Sequence, residues 1–276
     1  MSRRRVVVGV CAIGVGTLVL SGCGFRVASQ QFSDDNAVQQ TVSAVRIENG
    51  SGRVHISVGA KPGVHRTVYY QNDKPAQTSH FEGDTLVLED CKIRNCSIDY
   101  DVVLAAGAKV MGEVGSGEIE LTGMSEVGVQ AGSGNITVRD VAGPVTVKVS
   151  SGRAELSGLG QSAVVEASSG DVRLTDVKGD ATVVARSGSV VGTGLSGKTS
   201  VQSSSGDVTL TMAASQNVKV TASSGDIRVN VPKGTPYKTS VTTSSGDQRV
   251  NVATDPNAST VMELQANSGD VTVDYS

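Results

Sequence analysis

Aromatic side chains are nearly missing from this chain. Among 276 residues there are no Trp, three Phe and five Tyr, and from Asp101 to Pro236 there is no His, Cys, Phe, Tyr or Trp at all. Sugar-binding and sugar-cleaving β-helices use aromatic platforms for the apolar faces of sugar rings, and this stretch has none to offer. A hydrolase also needs a His base or a matched carboxylate pair, and no pair stands out. His55, His65 and His80 all lie upstream of the empty stretch and read as scattered surface histidines. The many serines lack a base to activate them. The chain therefore reads as non-enzymatic, with no catalytic residue, metal or cofactor.

Basic charge is also scarce where a nucleic-acid partner would need it. The N-terminus has Arg3, Arg4 and Arg5, then the apolar run Val6 to Leu20, which is too short for a comfortable membrane span. It ends in Leu20-Ser21-Gly22-Cys23, which resembles the lipobox of bacterial lipoproteins. That resemblance implies cleavage before Cys23 and lipidation of its sulfur, with acyl chains that hold the chain to a membrane. Loss of residues 1–22 leaves 21 basic against 27 acidic residues, a net charge of −6. Nucleic acid is not the expected partner. The expectation is an exported protein, lipid-anchored on the outer face of a bacterial membrane or at the cell surface. Residues 23–40, with Ser33, Asp34, Asp35 and Asn36, read as a flexible tether.

Cysteine is rare: beyond Cys11 and Cys23 only Cys91 and Cys96 remain. Outside the cytoplasm a C-x4-C pair is most simply a disulfide. Two free thiols are the alternative, and joined with His80 they would be a weak metal-ligand set.

What the chain has in quantity is a repeated phrase. Glycines at 117, 134, 152, 170, 188, 206, 225, 246 and 269 recur at steps of 17, 18, 18, 18, 18, 19, 21 and 23 residues, each before a short alternating apolar run. Such a period defines a repeat architecture. The first strand of each repeat presents Ile136, Ala154, Val172, Val190 and Val208 inward, then Val138, Leu156, Leu174 and Leu210. Val141, Leu159, Val177 and Leu195 mark a corner. A second strand stacks Val129, Val147, Val165, Val183, Val201, Val220, Val241 and Leu264, each followed two residues later by a mostly small side chain. One coil cannot stand alone: fixing a residue costs about 1–2 kcal/mol, and its four or five inward side chains recover about 1.5–3 kcal/mol each. Stacking supplies the rest.

The expected fold is all-β: a parallel β-helix (β-solenoid) of about nine to ten coils of ~18 residues, right-handed by the crossover rule. Residues 41–110 are expected to form irregular N-terminal coils or a cap, and 111–276 the regular repeats. The longer last repeats, with Pro232, Pro236 and Pro256, read as coils with lengthened loops.

Turn positions are the candidate structural sites. Gly152, Gly170, Gly188, Gly206, Gly225, Gly246 and Gly269 suit corners of positive φ. Asp171, Asp207, Asp226, Asp247 and Asp270 follow them in one column, which Ser189 interrupts. Carboxylates ~5 Å apart repel by about 3 kcal/mol near a surface. Calcium is one remedy, but β-rolls repeat every nine residues or so. The other is local, through Arg173, Arg228, Arg249 and turn N–H groups.

The phrase Ser-Ser-Gly-Asp-Val-x-Leu, the spacing, and the lead-in Asp101-Val102-Val103-Leu104-Ala105-Ala106-Gly107-Ala108 resemble the bacterial domain-of-unknown-function family of putative adhesins, over residues 40–276. The resemblance implies a β-solenoid and carries no catalytic or binding residue. Departures fall at Ser189, Gly192 and Gln248. The expected function is an adhesin-like, surface-tethered lipoprotein that contacts an envelope or extracellular protein or glycan. The alternatives are an envelope-stress or cell-wall sensor subunit working through a protein partner, and a carbohydrate-active β-helix enzyme.

Overall fold

A computed structural model describes residues 29–276. The lipobox Cys23 and the signal segment 1–22 lie outside the described residues. The fold is all-β: 25 strands form one sheet of thirteen and one of twelve, mostly parallel. Eleven coils, slightly more than the repeat count implies, each contribute one strand to either sheet; three further strands pair antiparallel.

A regular coil shows why the sequence folds this way. Strand Val145–Ser151 buries Val145, Val147 and Val149, Gly152 turns the chain, and strand Ala154–Leu159 buries Ala154, Leu156 and Leu159 from the opposite sheet. Neighbouring coils pair in register, so Val147 sits on Val165, Val165 on Val183 and Val183 on Val201. These valines are at most 2% exposed. The result is a flat, two-layered stack with a dry seam along its length.

The coils do not stack in chain order at either end. At the C-terminal end, 261–275 lies between 218–231 and 238–250, and 238–250 is outermost. The inward side chains decide this. Met262, Leu264, Ala266, Val271 and Val273 are all buried, whereas the outer coil faces Thr239, Val241, Thr243, Gln248 and Val250 toward the open end. An amide sealed inside the seam without partners would cost about 1–3 kcal/mol. At the end of the stack, Gln248 is an asset: with its amide oriented by the surrounding groups, it donates to the Val241 carbonyl and accepts from the Thr243 N–H, both at 3.1 Å. It thereby pairs with the last strand as a further peptide would.

The N-terminal end repeats the exchange. The first coil, 44–58, lies between 109–122 and 85–104. Antiparallel strands Gly63–Tyr70 and Ser79–Glu82 then cover 85–104, and Gln30–Ala37 covers Gly63–Tyr70. The expected tether is thus corrected over 30–37, which form an edge strand. Its anchor is Arg66, 5% exposed, whose guanidinium donates to both Asp34 carboxylate oxygens at 2.6 and 2.7 Å. Region 41–110 contains two coils, 44–58 and 85–104, and the antiparallel strands Gly63–Tyr70 and Ser79–Glu82.

Candidate interaction surface

The turn edge of the stack is engaged in holding coils together. Each repeat glycine has positive φ, from 113° at Gly188 to 152° at Gly117. A Cβ there would also run into the carbonyl of the turn glycine in the adjoining coil, Gly152 beneath Gly170 for example. Two separate constraints therefore select glycine in this column.

The Asp column is a hydrogen-bond ladder. The Ser189 N–H donates to Asp171 (3.0 Å), Asp226 N–H to Asp207 (2.9 Å), Asp270 N–H to Asp226 (3.0 Å) and Asp247 N–H to Asp270 (2.9 Å). The sequence Asp207, Asp226, Asp270, Asp247 follows the spatial order of the coils. Asp207, Asp226 and Asp270 thus each meet a backbone donor as well as a like-charged neighbour, and Asp171 meets the Ser189 N–H. Arg228 and Arg249 pair with Asp226 (2.8 Å) and Asp247 (3.3 Å). The expected partner role of Arg173 is corrected: Asp171 instead has Arg153 at 4.0 Å. Asn135 and Asp99 belong to the same ladder, accepting from the Arg153 and Arg53 N–H groups. Among the described residues no three His, Cys, Asp or Glu side chains gather in a metal-binding arrangement.

A second turn column was not anticipated. Asp140, Gly158, Asp176 and Gly194 follow one another in successive coils, all with φ between 53° and 71°. Each glycine leaves room for the carboxylate below it, since a Cβ on Gly158 would meet Asp140 Oδ1. The alternation of Asp and Gly at this spacing was the available signal. Asp tolerates the left-handed region better than most residues.

Cys91 and Cys96 are joined in a disulfide, with Cα atoms 6.0 Å apart. They close the turn of the 85–104 coil, where other coils carry Ser-Gly. Ser51 of the adjacent coil donates to the Cys96 carbonyl at 3.2 Å. The three histidines sit beside carboxylates on the cap: His55 on Asp101 (3.0 Å), His65 on Asp35 (2.7 Å) and His80 on Glu82 (3.3 Å). In the cap interior the Tyr100 hydroxyl donates toward Thr78 and Glu89, and burial pushes its pKa well above that of a free tyrosine.

A groove of about 880 Å³ lies on the outer face of the twelve-stranded sheet. It crosses strands Ala44–Ser51, Lys109–Ser116, Glu126–Ser133 and Val145–Ser151. Two outward rows define it, Arg46–Met111–Gly128–Thr146 and Glu48–Glu113–Gln130–Lys148. Glycine makes the depression: Gly128 has no side chain in the first row, and Met111, 49% exposed, lies against it. Gly112, also in the lining, has a φ of 127°. Arg46 forms one wall, bound to Glu48 (2.7 Å) and Glu82 (2.8 Å), and its hydrogen bond holds the Glu82 carboxyl below the ordinary range. Lys148 is paired with Glu166 (3.1 Å) and Lys109 with Glu126 (2.8 Å). Nothing in the sequence-level reading pointed here, because the depression arises from strands 44–51 and 109–116, which are far apart in the chain.

With the two-sheet stack and its turn ladders in place, the class is a β-solenoid held together by repeat-to-repeat turn bonds. The chain belongs to the Toastrack DUF4097 family, whose model matches residues 39–274. A search of curated proteins finds no match. Solved structures similar to this chain include a putative adhesin from Bacteroides fragilis, 12% identical over 92% of this chain and 100% of that one, with a TM-score of 0.42. Another is a putative adhesin from Parabacteroides merdae, 13% identical over 90% and 96%, TM-score 0.38. A third is a putative cell adhesion protein from Clostridium sporogenes, 11% identical over 90% and 100%, TM-score 0.24.

Proposed function

We propose that this protein is a non-enzymatic, adhesin-like stalk, lipid-anchored through Cys23 at the outside of a bacterial cell, which docks envelope or extracellular partners on its faces. The observation that carries the reading is how the repeated polar residues are used. The Asp carboxylates of the regular coils accept backbone N–H groups of the next coil, so they serve to hold the stack. Contact with other molecules then falls to the broad outer faces and the groove. The ends support an orientation. The chain enters through strand Gln30–Ala37 at the cap, seven residues after Cys23, so an anchor there would leave the far coil about 55–60 Å away at ordinary strand spacing. The mature charge of −6 suits a soluble surface of this kind.

The test has two arms. Cells producing Cys23→Ala are fractionated and checked for lipid labelling; the variant is expected to lose both label and membrane association, and retention of either would refute the anchor. Cells with and without the full protein are then scored for adhesion to panels of envelope proteins and glycans. Equal adhesion across every panel would refute the docking role.

A further inference from the structure

The groove on the twelve-stranded sheet is chemically one-sided. Its walls are closed ion pairs, Arg46 with Glu48 and Glu82, Lys148 with Glu166, and Lys109 with Glu126. Between these pairs it keeps two carboxylates, Glu113 and Asp90, with no ion-pair partner among the described residues. Glu113 has neither an ion-pair nor a hydrogen-bond partner among the described residues, although it stands in register beside Glu48, which is itself in register with Glu89. Like charges placed directly across a sheet are destabilising. Asp90 accepts only the Lys92 backbone N–H, through Oδ1. Beside these carboxylates, exposed Met111 and Pro144 offer apolar contact, and Gly50, Gly115 and Gly128 leave room on the groove floor for an extended segment.

We infer that this groove binds an extended, cationic peptide segment of a partner protein, with a Lys or Arg side chain directed at Glu113 and Asp90 and an apolar side chain against Met111. The occupant follows from charge complementarity: two carboxylates without a cation select a donor of positive charge, and an open groove floored by glycine admits an extended backbone. The inference rests on the reading that the protein docks partners on its faces, and names the partner chemistry.

The test uses the full chain and a fluorescein-labelled peptide of alternating Lys and Val, read by fluorescence anisotropy at about 0.15 M salt. Saturable binding is expected. Gly128→Tyr fills the groove on its outward side, where the nearest atom is the end of the Met111 side chain at 2.8 Å, and is expected to weaken binding about tenfold, or about 1.4 kcal/mol. Glu113→Lys is expected to do the same. Glu155→Lys, on the other sheet, should leave affinity within about twofold, and a Gln–Val peptide should bind about tenfold more weakly than Lys–Val. Wild-type affinity in Gly128→Tyr overturns the site. Equal loss in Glu155→Lys overturns it in favour of diffuse charge, and equal binding of the Gln–Val peptide overturns the cation requirement. A calcium-induced rise in melting temperature that depends on Glu113, with no peptide binding, would make the groove a cation site instead. Adhesion lost in Gly128→Tyr cells without any Lys–Val binding refutes the cationic occupant and leaves the docking role standing.

Discussion

Gly170 carries two demands that no other residue satisfies together. Its φ of 139° lies in the region other residues avoid, and a Cβ on it would run into the Gly152 carbonyl. Gly170→Ala is therefore expected to cost at least about 3 kcal/mol, a fall in melting temperature of about 2–4 °C for each kcal/mol in a domain of this size. A melt within one degree or so of wild type would show that the coils can separate freely at the turn. Asp207 is a contrasting case. Its working atom is the oxygen that accepts the Asp226 N–H, and Asn135 performs the same task with an amide. Asp207→Asn should change stability by less than about 1 kcal/mol, with or without millimolar calcium. A wild-type melt raised strongly by calcium, and no longer raised in Asp207→Asn, would turn the ladder into a metal site. These columns were legible in the sequence because glycine recurs at a step near 18 residues and Asp follows it in most of the later repeats. The Asp140–Gly158–Asp176–Gly194 column was harder to see: its alternation of Asp and Gly was present in the sequence, but the shared left-handed conformation that links the two residue types is a property of the backbone.

At the scale of elements, the strand Gln30–Ala37 depends on one side chain more than on its own sequence. Apart from Phe32 and Ala37 it is polar, and it is largely exposed, so it reads as linker; its partner Arg66 is distant in the chain and was not identifiable in advance. The bidentate hydrogen bond from Arg66 holds the Asp34 carboxyl below its usual value of 3.8, against a smaller opposing effect of burial. A lowered folded value gives the strand stability that is fully present above the ordinary carboxylate pKa and is lost as pH falls through the lower, folded value. Amide exchange over 30–37 should therefore stay slow from neutral pH down to about pH 4 and quicken only below it. Asp34→Asn should quicken it about tenfold at pH 7, because the nearly buried guanidinium loses its counter-charge. Exchange that is unaffected by either change would mean that the antiparallel backbone pairing alone holds the strand.

For the whole molecule, the order of coils is a choice the columns themselves cannot make. Gly246 and Gly269, Asp247 and Asp270, Ser245 and Ser268 are interchangeable, so either coil would fit either slot in register. The period read from sequence therefore yields the stack but not its threading. What separates the two coils is their inward chemistry: Gln248, Thr239 and Thr243 in one, Val271, Met262 and Ala266 in the other. Gln248, visible in the sequence only as an irregularity, closes the stack. Two substitutions test this. Val271→Gln puts an amide inside the seam and should cost about 2–4 kcal/mol from an unpaired polar group and lost packing, with no change in assembly state. Gln248→Val should alter thermal stability by less than about 1 kcal/mol. It leaves the Val241 carbonyl and Thr243 N–H open on an edge strand beside a now more apolar end, the condition under which edges pair with other chains. Light scattering after size exclusion should then show larger species in Gln248→Val than in wild type, growing with concentration. Gln248→Val protein that matches wild type in size at every concentration, or Val271→Gln protein that melts with wild type, would mean that something other than inward polarity sets the order and blunts the end.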